Sequence, residues 1–107
     1  MLKRYIITKT EATCTNLDDA EWAGEEYIGL GMPDFYYDLD EAKAELAKCH
    51  AEITLSRTYS DGTKEYDVRF FEIDEEEIDE NGDLVDVKTV YDNYSDLVKL
   101  MDDAENE

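Results

Sequence analysis

Apolar and polar residues alternate with period two over much of this chain, and the alternation predicts strands. Residues 2–10 read as the first, with Tyr5, Ile6, Ile7 and Thr8 as strand formers between Lys and Arg. Residues 11–25 show no clear period, and Leu17 to Ala23 reads as a helical turn closed by Gly24. Glu26 to Leu30 reads as a short second strand, after which Gly29, Gly31 and Pro33 break regular structure. The period then changes to 3.6. Leu39, Ala42, Leu46 and Cys49 fall on one stripe and predict a helix over 39–50. Asp38 or Asp40 can cap it. Asp40 and Glu41 suit the positive end of its dipole, and Lys48 and His50 the negative end.

Two turn signals follow. Asp61-Gly62 predicts a two-residue hairpin in which facing residue numbers sum to 123, pairing Ile53 with Phe70 and Leu55 with Val68. Asn81-Gly82 predicts a second hairpin with facing numbers summing to 163: Ile78 with Val85, Glu75 with Lys88, Ile73 with Val90. Between them the apolar parity switches. Val68 and Phe70 are even, Phe71 and Ile73 odd, so a β-bulge is expected near Phe70-Phe71. Past Ile73 the apolar content falls, and the hairpin tip is expected to outrun the core. Residues 94–105 predict a last helix, with Ser95 as N-cap and Leu97, Val98, Leu100 and Met101 on its buried side. The expected fold is α+β in one domain, 1–107. It has an antiparallel sheet of four or five strands, helix 39–50 packed on one face, and a C-terminal helix.

Charge changes this picture more than composition does. Thirty acids face ten bases among 107 residues, for a net charge of −20. Small domains carry about 2–8 in magnitude. Self-repulsion on this scale opposes the compact state, so it points to a use in binding, with solubility as the alternative. Eight tyrosines and one tryptophan argue against a disordered acidic tail. The charge is also uneven: residues 1–69 carry −7 and residues 70–107 carry −13. Its densest part runs from 72 to 86, where Glu72, Asp74, Glu75, Glu76, Glu77, Asp79, Glu80, Asp83 and Asp86 are nine acids in fifteen residues with no base. Same-face residues on a strand recur about every 6.6 Å, comparable with phosphate spacing in nucleic acid. Lys and Arg of a nucleic-acid groove would pair with such carboxylates much as with phosphates, helped by Asp96, Asp102 and Asp103.

Catalytic and metal chemistry find little footing. Asp79, Asn81 and Asp83 match the first positions of a calcium loop, but Leu84 and Val90 stand where Gly and Glu are needed. Cys14, Cys49 and His50 are too few and too scattered for zinc. No nucleophile lies beside a base, and no cofactor motif occurs, so the expectation is no enzyme, no cofactor and no metal. Direct nucleic-acid binding and binding to an anionic membrane are opposed by repulsion. With no leader or apolar span visible, a cytoplasmic place in a bacterial cell, with reduced thiols, is expected.

In size, whole-chain charge and the acidity of Glu72–Asp86, the chain resembles the small anti-defence proteins of phages and mobile elements, including anti-CRISPR proteins and anti-restriction DNA mimics. The resemblance is one of composition and assigns no residue a role. It implies a stoichiometric inhibitor that covers the DNA- or PAM-reading groove of a nuclease complex. A small interaction module contacting its partner through the aromatic segment 22–37 is the second expectation, and a metal-regulated domain the third.

Overall fold

The computed structural model describes residues 1–29, 31 and 33–106. Among these residues, five antiparallel strands and two α-helices form an α+β fold. The strands are β1 (Leu2–Cys14), β2 (Ala23–Glu26), β3 (Glu52–Thr58), β4 (Lys64–Ile78) and β5 (Leu84–Asp92). The helices are α1 (Leu39–Leu46) and α2 (Tyr94–Glu105).

The 15-residue β4 is the spine. β1 pairs with it along almost its whole length, from Leu2 opposite Ile78 to Cys14 opposite Tyr66, without a register shift. On its other side β3 takes the first half and β5 the second. β2 lies outside β1, and Tyr36 adds a reciprocal backbone pair to Tyr5 further along the same edge. The body is long for its chain, 57 × 23 × 22 Å. Its radius of gyration of 16.3 Å exceeds the ~13 Å of a compact domain this size.

No bulge occurs at Phe70-Phe71, contrary to the sequence expectation. The parity switch has another cause: the sheet is covered on both faces. Because β1 and β4 pair in unbroken register, their even-numbered residues share one face and their odd-numbered residues the other. Helix α2 covers half of the even face, where Leu97 and Met101 pack with Cys14, Tyr66, Val68 and Phe70. Helix α1 covers half of the odd face, where Ala42 and Leu46 pack with Tyr5, Ile7, Phe71 and Ile73. Phe70 and Phe71 therefore enter different cores. Two small cores, offset along the spine, give the molecule its length.

Both hairpins use three-residue loops in place of the two-residue turns expected. Tyr59 pairs with Thr63 and Asp79 with Asp83, and only Gly62 and Gly82 take positive φ, at 90° and 83°. That is a type I turn followed by a left-handed glycine. The pairing sum becomes 122 beside the first loop and, past a bulge between Leu55 and Arg57, 121, so Ile53 faces Val68 and Leu55 faces Tyr66. In the second hairpin Ile78 meets Leu84, Glu75 meets Lys88 as expected, and Ile73 meets Tyr91. The bulges of this sheet thus lie between β4 and its partners β3 and β5, and the β1–β4 ladder has none.

Other boundaries also move. β1 runs four residues past the expected end, and only Leu17–Asp19 forms the expected helical turn, as a 3-10 helix. Gly24 lies inside β2, which starts three residues before the strand expected over 26–30; Leu30 lies outside the described residues. α1 is capped by Asp38, whose carboxylate accepts from the Asp40 N–H, and it ends at Leu46. α2 begins after Asn93, two residues before the position that Ser95 as cap would give. Cys14 and Cys49 are unpaired, buried in different cores, and burial pushes both thiols above their ordinary pKa.

Candidate acidic binding surface

The acids of 72–86 do not form a free ribbon. Five of the nine lie on β4, which has β1 on one side and β5 on the other up to Ile78. Only the turn 79–83 outruns β1. Pairing register divides the β4 acids by face. Glu72, Asp74 and Glu76 lie on the even face, and Glu75 and Glu77 on the odd one.

On the odd face Glu75 is buried, its side chain 9% exposed. The ammonium groups of Lys3 and Lys88 each sit 3.5 Å from Oε1. At that range they act as ion pairs, and Oε1 has no hydrogen-bond partner among the described residues. Burial pushes the Glu75 carboxyl up, but Lys3, the Tyr5 hydroxyl and Lys88 together outweigh it and leave the pKa lowered. Glu77 lies 3.9 Å from the same Lys3.

A carboxyl with a lowered folded-state pKa adds stability above its unfolded value of about 4.3, and that stability is lost as pH falls through the folded value. Removing both cations in Lys3→Met/Lys88→Met leaves the Tyr5 hydroxyl alone against burial, so the Glu75 carboxyl moves up from its wild-type value. The double variant is expected to lose about 2 kcal/mol at pH 7 and to recover most of it relative to wild type near pH 4. Urea unfolding at both pH values measures this. An equal deficit at the two would show that Glu75 is not the group involved.

On the even face the acids meet hydroxyls and one guanidinium. Thr10 Oγ1 donates to Glu72 Oε1 at 3.0 Å, and Thr8 Oγ1 to Asp74 Oδ2 at 3.3 Å. Thr89 Oγ1 lies 3.1 Å from Glu72 Oε2 and 2.9 Å from Asp74 Oδ1. It has one proton and serves one of them at a time. Arg4 Nε donates to Glu76 Oε1 at 2.6 Å, and its guanidinium lies over the Phe35 ring, 5.2 Å from the centroid.

The remaining acids divide again. Asp79 Oδ1 accepts from the N–H groups of Asn81 and Asp83, so this acid holds the turn together. That is the work of the residues that resembled a calcium loop. Glu80, Asp83 and Asp86 are exposed, with no ion pair or side-chain hydrogen bond among the described residues.

The stretch without a base in sequence therefore has Lys3, Arg4 and Lys88 beside it in space. Arg4 and Glu76 are 72 residues apart, and only the β1–β4 register brings them together. Segment 22–37 also divides. Trp22 packs edge-on to Phe70 and Tyr94, Tyr27 packs edge-on to Phe71, and Tyr36 is buried. Tyr37 stays 60% exposed and stacks edge-on with Phe35 beside Arg4. Sequence reading missed this pair as neighbours of the acids. The alternation Phe35, Tyr36, Tyr37 was the available signal, since a strand-like pair at Tyr36 turns its two neighbours to the opposite face.

One open groove of about 530 Å³ lies on the odd face beyond α1, lined by Glu11, Glu21, Glu52, Asp67, Arg69 and their neighbours. Arg69 bridges Glu52 and Glu11 there. Its charged side chains are exposed or half-exposed, and it holds no buried acid–base pair. Comparison with protein-family models, with curated proteins and with solved structures gives no match.

Proposed function

We propose that the protein is a non-catalytic binding protein that occupies the nucleic-acid groove of a basic partner, in the manner of an inhibitor of a defence nuclease such as a CRISPR effector. One observation carries the reading. Twenty net negative charges are spread along 57 Å, one for each ~2.9 Å. Duplex DNA carries one per ~1.7 Å of axis and each strand one per ~3.4 Å. The line charge of this chain thus lies between those of a single strand and a duplex. Its 23 × 22 Å cross-section keeps that charge on a body slim enough for a groove. Carboxylates accept charge-assisted hydrogen bonds from Lys and Arg as phosphates do, and a field of this strength speeds encounter.

The test is displacement of a labelled duplex from purified nucleases with basic grooves, including guide-loaded CRISPR effectors. For the true target, one equivalent of protein is expected to release the duplex. The logarithm of apparent affinity should fall steeply against the logarithm of salt, as for a DNA ligand. Tight binding that leaves the duplex in place, or affinity constant over a roughly tenfold rise in salt, would contradict the reading.

A further inference from the structure

Each helix covers half of one sheet face, so two half-faces have no helix on them. They differ in chemistry. The open half of the odd face is polar, with Glu11, Thr13, Glu52, Thr54, Asp67 and Arg69. The open half of the even face is mixed. Leu2, Leu84 and Val87 lie on it at 49%, 52% and 45% exposure, flanked by Tyr37. Ile6 and Ile78 lie there too, nearly buried, yet they belong to neither of the helix-covered cores. Among these apolar groups stand Glu72, Asp74 and Glu76.

A solvated acidic strand face has no need of such neighbours. On a chain with charge to spare, exposed Leu and Val placed around carboxylates mark a contact surface.

We infer that this half-face docks a basic amphipathic helix of a protein partner; the inference rests on the proposed function for the partner's basic character. Three strands span about 14 Å and seven residues about 23 Å. A helix is about 10–12 Å across, so three to four turns fit. A helix with an apolar stripe is also what this sheet already takes on its other two half-faces. The charge selects the partner. A second copy of this chain would set the same three carboxylates and another −20 against the face. Nucleic acid and anionic lipid are repelled in the same way. A helix with Lys or Arg beside its apolar stripe is matched on both counts.

The chain's own Arg4 shows the contact in miniature, its guanidinium bonded to Glu76 and lying over Phe35. Among the described residues Glu72 and Asp74 hold only threonine hydroxyls, and Thr89 cannot satisfy both, so their oxygens are open to incoming donors.

The probe is a synthetic helical peptide of Lys and Leu with Leu at i, i+3, i+4 and i+7. Its control is a scrambled peptide of the same composition. Each is titrated into the ¹⁵N-labelled protein. The ordered peptide is expected to shift amides of residues 2–8, 72–78 and 84–89, and to bind about tenfold more tightly than the scrambled one. Tyr37→Ser/Val87→Ser keeps the net charge, and it should remove that advantage while leaving the scrambled peptide's affinity unchanged. Shifts centred on Glu11, Glu52 and Asp67, or equal and diffuse shifts with both peptides, would overturn the docking face. Diffuse shifts alongside intact duplex displacement would remove this inference alone. A localised map without displacement would remove the proposed function alone.

Discussion

Replacing Asn93 by Ala is expected to cost about 3–4 kcal/mol, a large part of the 5–15 kcal/mol that holds a typical domain. Asn93 lies between β5 and α2 and is 8% exposed. Its Oδ1 accepts from the Phe71 N–H at 2.7 Å, and its Nδ2 donates to the Cys49 carbonyl at 2.9 Å. Its own N–H donates to the Phe71 carbonyl at 3.1 Å. One side chain thus ties the spine strand, the chain leaving α1 and the start of α2. Alanine leaves a buried donor on Phe71 and a buried acceptor on Cys49, each costing about 1–3 kcal/mol. Asn93→Asp separates the two bonds. The carboxylate still accepts from Phe71 but faces the Cys49 carbonyl with no proton to give. Protonated, it can donate again, so the Asp variant should regain stability relative to wild type as pH falls, whereas the Ala variant should not. Urea unfolding of the three proteins at pH 7 and 4 checks both parts. A loss under about 1 kcal/mol in Asn93→Ala would mean that water or a backbone shift satisfies both groups.

Nothing in the sequence marks Asn93, because its partners are 22 and 44 residues away. Local signals fared better. The stripe Leu39, Ala42, Leu46, Cys49 was legible, and Ala42, Leu46 and Cys49 are buried in the core beneath α1. Both glycine turns were legible as turns. Their loop length was not, since Asp-Gly and Asn-Gly suit a two-residue type I′ turn and a three-residue loop with a left-handed glycine alike. The switch at Phe70-Phe71 was visible but open to two explanations. A bulge and a two-sided core leave the same trace in one strand, and only the unbroken β1–β4 register separates them. The candidate surface was legible as nine acids and not as an arrangement. Pairing brings Lys3, Arg4 and Lys88 to the acids of β4, and these contacts depend on register.

Reversing Glu80, Asp83 and Asp86 to Lys is expected to move stability and binding in opposite directions. These three are exposed and have no ion pair or side-chain hydrogen bond among the described residues, so their change leaves the turn and the core intact. The net charge falls in magnitude from 20 to 14, because each reversal removes two units. Less self-repulsion favours the compact state, and the melting midpoint should rise by a few degrees, roughly 3 °C at low salt. The rise should shrink in ~1 M salt, where screening has already relieved the repulsion. Binding to a basic partner should weaken roughly 100-fold, chiefly through the association rate, since charges at the rim steer encounter more than they hold the complex. Thermal melts at two salt concentrations and stopped-flow association with the partner found by duplex displacement measure the two effects. If the acidity served only solubility, the triple variant would melt higher and bind as before. A gain in stability matched by a loss in association rate would mean that the chain tolerates its own repulsion because its partner requires the field.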